Sequence, residues 1–131
     1  MKKRGTAVER EIREKLYSKG IISFRVAGSG STRKIPSLDL VAVYKNKVVG
    51  IEVKYLRKSK KLYLRKEQME ELREISKHIP VYIAVKIFQK GVYFVEFSND
   101  VNGLSVDEII VRGIPLDSFV EILKTKSLTL V

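Results

Sequence analysis

The sequence predicts a single α/β domain, with a central mixed sheet of about five strands flanked by helices. Three observations predict it. The patterned segments run helix, three strands, helix, two strands, helix. The strand segments in the middle of the chain are apolar at nearly every position, as strands covered on both faces are. The 131 residues contain no repeat and no linker. They fit one domain, 1–131, large enough to bury a core without staples.

The first helix is expected over residues 7–19. Thr6-Ala7-Val8-Glu9 has the form of a capping box, with Thr6 as N-cap and Glu9 three residues on; Val8, Ile12 and Leu16 then recur every fourth residue until Gly20. Ile21 to Val26 reads as a short strand, and Gly28 to Ser37 as a loop by composition. Leu38 to Tyr44 is apolar except for Asp39, Lys45-Asn46-Lys47 turns the chain, and Val48 to Tyr55 runs back, which is a hairpin signal. A basic loop leads into a second helix over 66–77, with Met69, Leu72 and Ile75 on its apolar face. Val81 to Phe88 and Val92 to Phe97 pair around Gln89-Lys90-Gly91. Ser105-Val106-Asp107-Glu108 caps a short helical turn, and a last helix runs from Pro115 to Lys124 with Leu116, Phe119, Val120 and Leu123 inward.

Composition excludes several chemistries. There is no cysteine and one histidine, His78, so disulfides, thiolate zinc sites, cysteine nucleophiles and multi-histidine zinc sites are out. Hard cations bound by carboxylate oxygens remain open. The basic Met1 to Arg4 start is followed by charged, helical sequence, and no apolar run approaches the roughly 18 residues of a membrane span. A cytoplasmic protein with no secretion signal is expected. Lysine and arginine number 26 against 15 acids, a net charge of +11. Such an excess favours a polyanion, nucleic acid before an anionic membrane surface.

Glu9, Asp39, Glu52 and Lys54 form the candidate site. Side chains alternate along a strand, so Glu52 and Lys54 share a face. A three-residue turn would set Tyr44 near Val48 and Asp39 opposite Val53; a shift by one residue would bring Asp39 and Glu52 onto a common face. Charges inside apolar strands need compensation, and a divalent metal supplies it. Held by Asp39, Glu52 and Glu9, it would activate water and stabilise charge on a phosphate, with Lys54 beside that phosphate. Each residue alone also has an ordinary explanation: Glu-x-Lys as a surface pair, Asp39 as a turn residue, Glu9 as half of a capping box.

The ordered set resembles the PD-(D/E)xK nuclease superfamily, with its restriction-endonuclease-like fold, and within it the archaeal Holliday junction resolvases. The resemblance rests on Lys3-Arg4-Gly5 with Ala7-Val8-Glu9-Arg10-Glu11, on Arg25-Val26-Ala27-Gly28-Ser29, Asp39-Leu40-Val41-Ala42 and Ile51-Glu52-Val53-Lys54. Leu62-Tyr63 before Met69 and the run Pro80 to Lys86 extend it, so residues 1–97 match in order and 98–131 loosely. It implies Glu9, Asp39 and Glu52 as ligands of Mg²⁺, with Mn²⁺ as substitute, and Lys54 as catalytic lysine. It implies Arg10 as a DNA-contact or active-site residue and a loop serine that contributes to activity, Ser29 before Ser31. Gln68 falls near a position where such nucleases place a glutamine facing the site, or is a solvated helix residue. Leu38, not proline, precedes Asp39, and the loop through Pro36 is longer than the family's.

The expected activity is a crossover-junction endonuclease, resolving four-way junctions by paired hydrolytic nicks that leave 5′-phosphate ends. Lys3, Arg4, Arg10, Arg33, Lys34, Arg57, Lys58, Lys60, Lys61 and Arg65 are the expected DNA-contacting cations, interleaved after the catalytic strand with Tyr55 and Tyr63. Phosphate contacts position without reading bases, which suits recognition of a branched shape on the nucleoid. Two opposed nicks on a near-two-fold junction imply a homodimer. Leu116, Phe119, Val120, Leu123 and Leu128 are either its surface or core. The competing readings are another nuclease of the superfamily, acting on flaps, nicks or duplex sites, and a non-catalytic basic DNA-binding module.

Overall fold

The structure, a computed structural model, describes residues 2–27, 35–57 and 60–125, with residues 2–4 as helical backbone only. The order is α1 (Lys2–Ser18), β1 (Ile22–Arg25), β2 (Leu40–Tyr44), β3 (Lys47–Leu56), α2 (Lys66–Ser76), β4 (Val81–Ile87), β5 (Gly91–Glu96), α3 (Val106–Arg112), β6 (Ile114–Pro115) and α4 (Leu116–Thr125). One sheet runs β1-β2-β3-β4-β5-β6. Its pairings are antiparallel except β3 with β4, which run parallel and need the crossover that α2 provides.

Helices cover both faces. Val8, Ile12 and Leu16 of α1 and Leu116, Phe119, Val120 and Leu123 of α4 pack on Leu40, Ala42, Val49, Ile51, Ala84 and Phe94. On the other face Met69 and Leu72 of α2 and Val106 and Ile109 of α3 pack on Val81, Ile83, Val85, Ile87 and Val95. Two-sided burial explains the unbroken apolar runs of the central strands.

One expectation is refined, one is overturned and one open alternative is decided. The sheet has six strands rather than about five: Ile114-Pro115 pairs with Tyr93 and Phe94, so the last helix begins at Leu116. A proline, lacking an N–H, is tolerated there because β6 is an edge. Helix α1 begins at Lys2, which leaves Thr6 inside it and Glu9 about two turns from its start, so the capping explanation of Glu9 falls away. The C-terminal apolar residues are core: the Phe119 ring stacks on Phe94 at 4.0 Å and meets Tyr82 edge-on at 5.1 Å. Leu128 lies outside the described residues. The Ser105 box forms as read, with Ser105 Oγ accepting from the Glu108 N–H and Glu108 accepting from the Ser105 N–H.

Candidate active site

The β2–β3 hairpin sets the centre of the site. Its turn uses two residues, Lys45 and Asn46, with Lys45 in the left-handed region at φ 55. Tyr44 therefore faces Lys47, and the ladder reaches Leu40 opposite Ile51. The next position outward sets Asp39 across from Glu52. Residues directly opposite in an antiparallel pair project to the same face, so the one-residue shift left open by the sequence is realised. The backbone holds Asp39 on both sides: its C=O accepts from the Val26 N–H at 2.9 Å, and its Oδ2 from the Val53 N–H at 2.8 Å.

Glu52 is the buried charge of this sheet, 6% exposed. Burial first, and then the facing Asp39, push its carboxyl up to about 8, while Lys54 pulls in the other direction. Asp39 is raised as well, by burial, against the Val53 N–H that stabilises its anion. Two anions side by side are therefore disfavoured here, and burial weighs most heavily on Glu52. Gln68 reaches Glu52 from α2, its Nε2 donating to Oε2 at 3.3 Å, while its Oε1 accepts from the Arg65 N–H at 3.0 Å. One amide ties the start of α2 to the carboxyl, which assigns the orientation that the sequence left between site and solvent.

Asp39 and Glu52 border an open cavity of about 200 Å³. Arg65, Gln68 and Glu71 line it from α2 and its cap; Val26, Ala27 and Ser37 line it from the preceding loop. Glu71 and Ser37 were not singled out from the sequence. The spacing of Glu71 three residues after Gln68 on a helix is the signal that could have found it. Lys54, on the same strand face as Glu52, lies within electrostatic reach of both carboxyls.

Glu9 is engaged by Arg25. Its Oε1 accepts from Arg25 Nε at 2.8 Å, and both Glu9 and Arg25 act electrostatically on Asp39. Among the described residues, no three carboxylate or imidazole side chains gather as a metal-holding group. Arg25 is a further residue that sequence reading passed over as a functional group.

The expected DNA-contacting cations divide. Arg57 is exposed, its guanidinium 5.3 Å from the centre of the Phe88 ring. Lys60, Lys61 and Arg65 are exposed along the segment before α2. Arg10 lines a different cavity, with Arg13, Tyr17 and Ile22, and not that of Asp39 and Glu52. Ser29, Ser31, Arg33, Lys34 and Lys58, and the side chains of Lys3 and Arg4, lie outside the described residues.

Comparison with known proteins identifies the family and the fold. The profile of the archaeal Holliday junction resolvase (Hjc) family matches residues 1–128. A crossover junction endodeoxyribonuclease Hjc of Sulfurisphaera tokodaii is 32% identical over 132 aligned positions, 95% of this chain and 91% of that protein. The protein of the same name from Archaeoglobus fulgidus is 36% identical over 92 positions, 69% of this chain and 66% of its own length. In three dimensions the fold is similar to that of A. fulgidus Hjc, with a TM-score of 0.75, 24% identity, and coverage of 88% of this chain and 99% of that one. By the extent of the family match and the identity to the Sulfurisphaera protein, the chain belongs to the archaeal Holliday junction resolvase family.

Proposed function

We propose that this protein is a structure-selective endonuclease that resolves four-way DNA junctions by paired, metal-dependent phosphodiester hydrolysis. The observation that carries the reading is the Asp39–Glu52 pair: two carboxyls face to face on one ladder, beside Lys54, at the end of a basic segment. Two carboxyls that close, one of them buried, fit a divalent cation better than they fit each other, since a cation would compensate charges that otherwise repel. Mg²⁺ suits oxygen donors, and Mn²⁺ is the expected substitute. When bound, the ion supplies charge stabilisation at the phosphate and makes a water more acidic.

The chain's own residues do the rest. The Val53 N–H favours the Asp39 anion and holds its carboxyl in place, and Gln68 orients Glu52. Lys54 donates to a non-bridging phosphate oxygen as negative charge develops there. Water oxygen attacks phosphorus, the bond to the 3′ oxygen breaks, and that oxygen takes up a proton, which leaves 5′-phosphate and 3′-hydroxyl ends. Glu9 serves as a third ligand only when its ion pair with Arg25 opens. Ser29 adds a loop hydroxyl, and Lys3, Arg4, Arg10, Arg33, Lys34, Arg57, Lys58, Lys60, Lys61 and Arg65 contact DNA phosphates.

A junction has near-two-fold symmetry, and one chain carries one site, so a C₂ homodimer completes the reaction. No helix among the described residues is long and apolar enough to cross a membrane. The enzyme is proposed to act in the cytoplasm on nucleoid DNA.

The test compares cleavage of a four-way junction, a flap and a linear duplex with Mg²⁺, with Mn²⁺ and with EDTA. Junction-selective nicking that EDTA abolishes is expected. Equal cutting of all three substrates would leave another nuclease of the superfamily, and binding without cutting would leave a non-catalytic module. Asp39→Ala and Glu52→Ala should lose cutting and keep junction binding, and Lys54→Ala should slow cutting by about a hundredfold or more.

A further inference from the structure

The segment entering α2 is clamped on both sides of one residue. Leu62 is 1% exposed and Leu64 5%, whereas Tyr63 between them is 66% exposed. The Leu62 N–H donates to the Leu104 C=O at 2.8 Å, and its C=O accepts from the Gly103 N–H at 2.7 Å. The Leu64 N–H donates to Asn102 Oδ1 at 2.6 Å, and its C=O accepts from Asn102 Nδ2 at 3.2 Å. The Asn102 amide therefore pairs with Leu64 as a neighbouring strand would, and Lys61 forms a bridge with Ser105. The flanking backbone is fully bonded and its apolar side chains are buried, so Tyr63 is held outward at fixed position.

A single exposed aromatic is unremarkable by itself. The company of Tyr63 sets it apart. The alternation that buries Leu62 and Leu64 turns Lys61 and Arg65, both exposed, to the same side as Tyr63. Residues two apart in extended chain are roughly 6–7 Å apart. Arg65, the last of the three, lines the cavity of Asp39 and Glu52. A cation, a ring and a second cation on a rigid edge that ends at a phosphodiester site make a short single-strand track, in which the cations follow phosphates and the ring takes a base.

We infer that Tyr63 is the stacking platform for an unpaired DNA base next to the cut, and so a specificity-determining residue that favours a branch point over continuous duplex. The inference rests on the nuclease reading for its substrate. A base inside duplex is stacked on both faces and offers the ring nothing. A base pair at an open branch lacks a stacking neighbour on one side, so exposing its base costs less than in continuous duplex.

The experiment places 2-aminopurine at the branch of a four-way junction and, separately, in a short single strand. Fluorescence and affinity are measured for the full chain and for Tyr63→Ala and Tyr63→Phe, in EDTA to prevent cutting. Quenching by the native chain and by Tyr63→Phe, with none by Tyr63→Ala, is expected. Tyr63→Ala should weaken junction binding about tenfold and leave duplex binding within about twofold. Its thermal melt should match that of the native chain, because the ring is exposed. Absence of quenching by the native chain, equal losses on junction and duplex, or Tyr63→Phe behaving as Tyr63→Ala would each overturn the inference. Quenching together with equal cutting of junction, flap and duplex would keep it and overturn the resolvase reading. Junction-selective cutting without quenching would do the reverse.

Discussion

At the scale of single residues, Glu52 carries the most telling chemistry. Burial and the facing Asp39 move its carboxyl from 4.5 to about 8. Between those values the folded chain keeps a proton that the unfolded chain has released. Glu52 therefore adds stability that is fully present below about pH 4.5 and lost as pH rises through about 8. In EDTA, the melting temperature of the native chain should fall across this window, by the equivalent of up to about 5 kcal/mol, while that of Glu52→Gln stays flat. Parallel curves would count against a raised Glu52 carboxyl. Under the proposed metal site a cation would bind the deprotonated pair, so stabilisation by Mg²⁺ should grow with pH in the native chain and vanish in Glu52→Gln. At the same scale Glu9 shows what a motif conceals. Thr6 and Glu9 have capping-box spacing, yet the helix starts at Lys2 and Glu9 instead holds Arg25. A side chain at the right spacing caps a helix only if the helix begins there.

At the scale of elements, the hairpin is what turns a pattern into a site. Gly50 lies on the same face of β3 as Glu52, and a Cβ there would meet the Leu38 side chain at 2.6 Å and Ile79 at 3.3 Å. Leu38 directly precedes Asp39. Gly50→Ala should therefore destabilise the fold by about 1–3 kcal/mol through overpacking. It should also slow junction cutting by displacing Asp39, read as a fall in kcat greater than in binding. Unchanged kcat in the folded variant would detach Leu38 from the aim of Asp39. Phe119→Ala in α4 removes a ring packed between Phe94 and Tyr82 and should cost about 3–5 kcal/mol in chemical denaturation. As a core residue, it should leave the oligomeric state at low temperature unchanged. A shift to monomer would return α4 to the interface.

At the scale of the whole molecule, charge governs how the protein meets DNA. With a net charge of +11, junction affinity should fall linearly with the logarithm of salt concentration, by a slope of about −0.9 for each phosphate neutralised. Lys60→Ala should weaken junction and duplex binding alike and flatten that slope by about one, because a single phosphate contact is available on both substrates. Such uniform loss contrasts with the selective loss expected for Tyr63→Ala. Light scattering at micromolar concentration should give twice the chain mass if the paired-nick geometry holds.

By itself the sequence determined the elements and their order apart from the two-residue edge strand β6, because hydrophobic period, turn residues and caps act over a few neighbouring positions. Helices at 7–19 and 66–77 and strands at 21–26, 38–44, 48–55, 81–88 and 92–97 lie within a few residues of those observed, except for the earlier start of α1. It also determined the charge balance and the chemistry that cysteine-free, histidine-poor composition excludes. The tertiary structure decided what depends on register and on contacts between distant segments. A two-residue turn, not three, put Asp39 opposite Glu52. The crossover through α2 brought Gln68 and Glu71 to the same cavity. Packing against β5 buried Phe119, and Asn102, 38 residues beyond Leu64, fixed the segment that presents Tyr63. Local patterns specify which face a side chain takes within its own strand or helix. Which side chains then meet is set by the buried core, where a single residue of register separates a surface pair from a shared site.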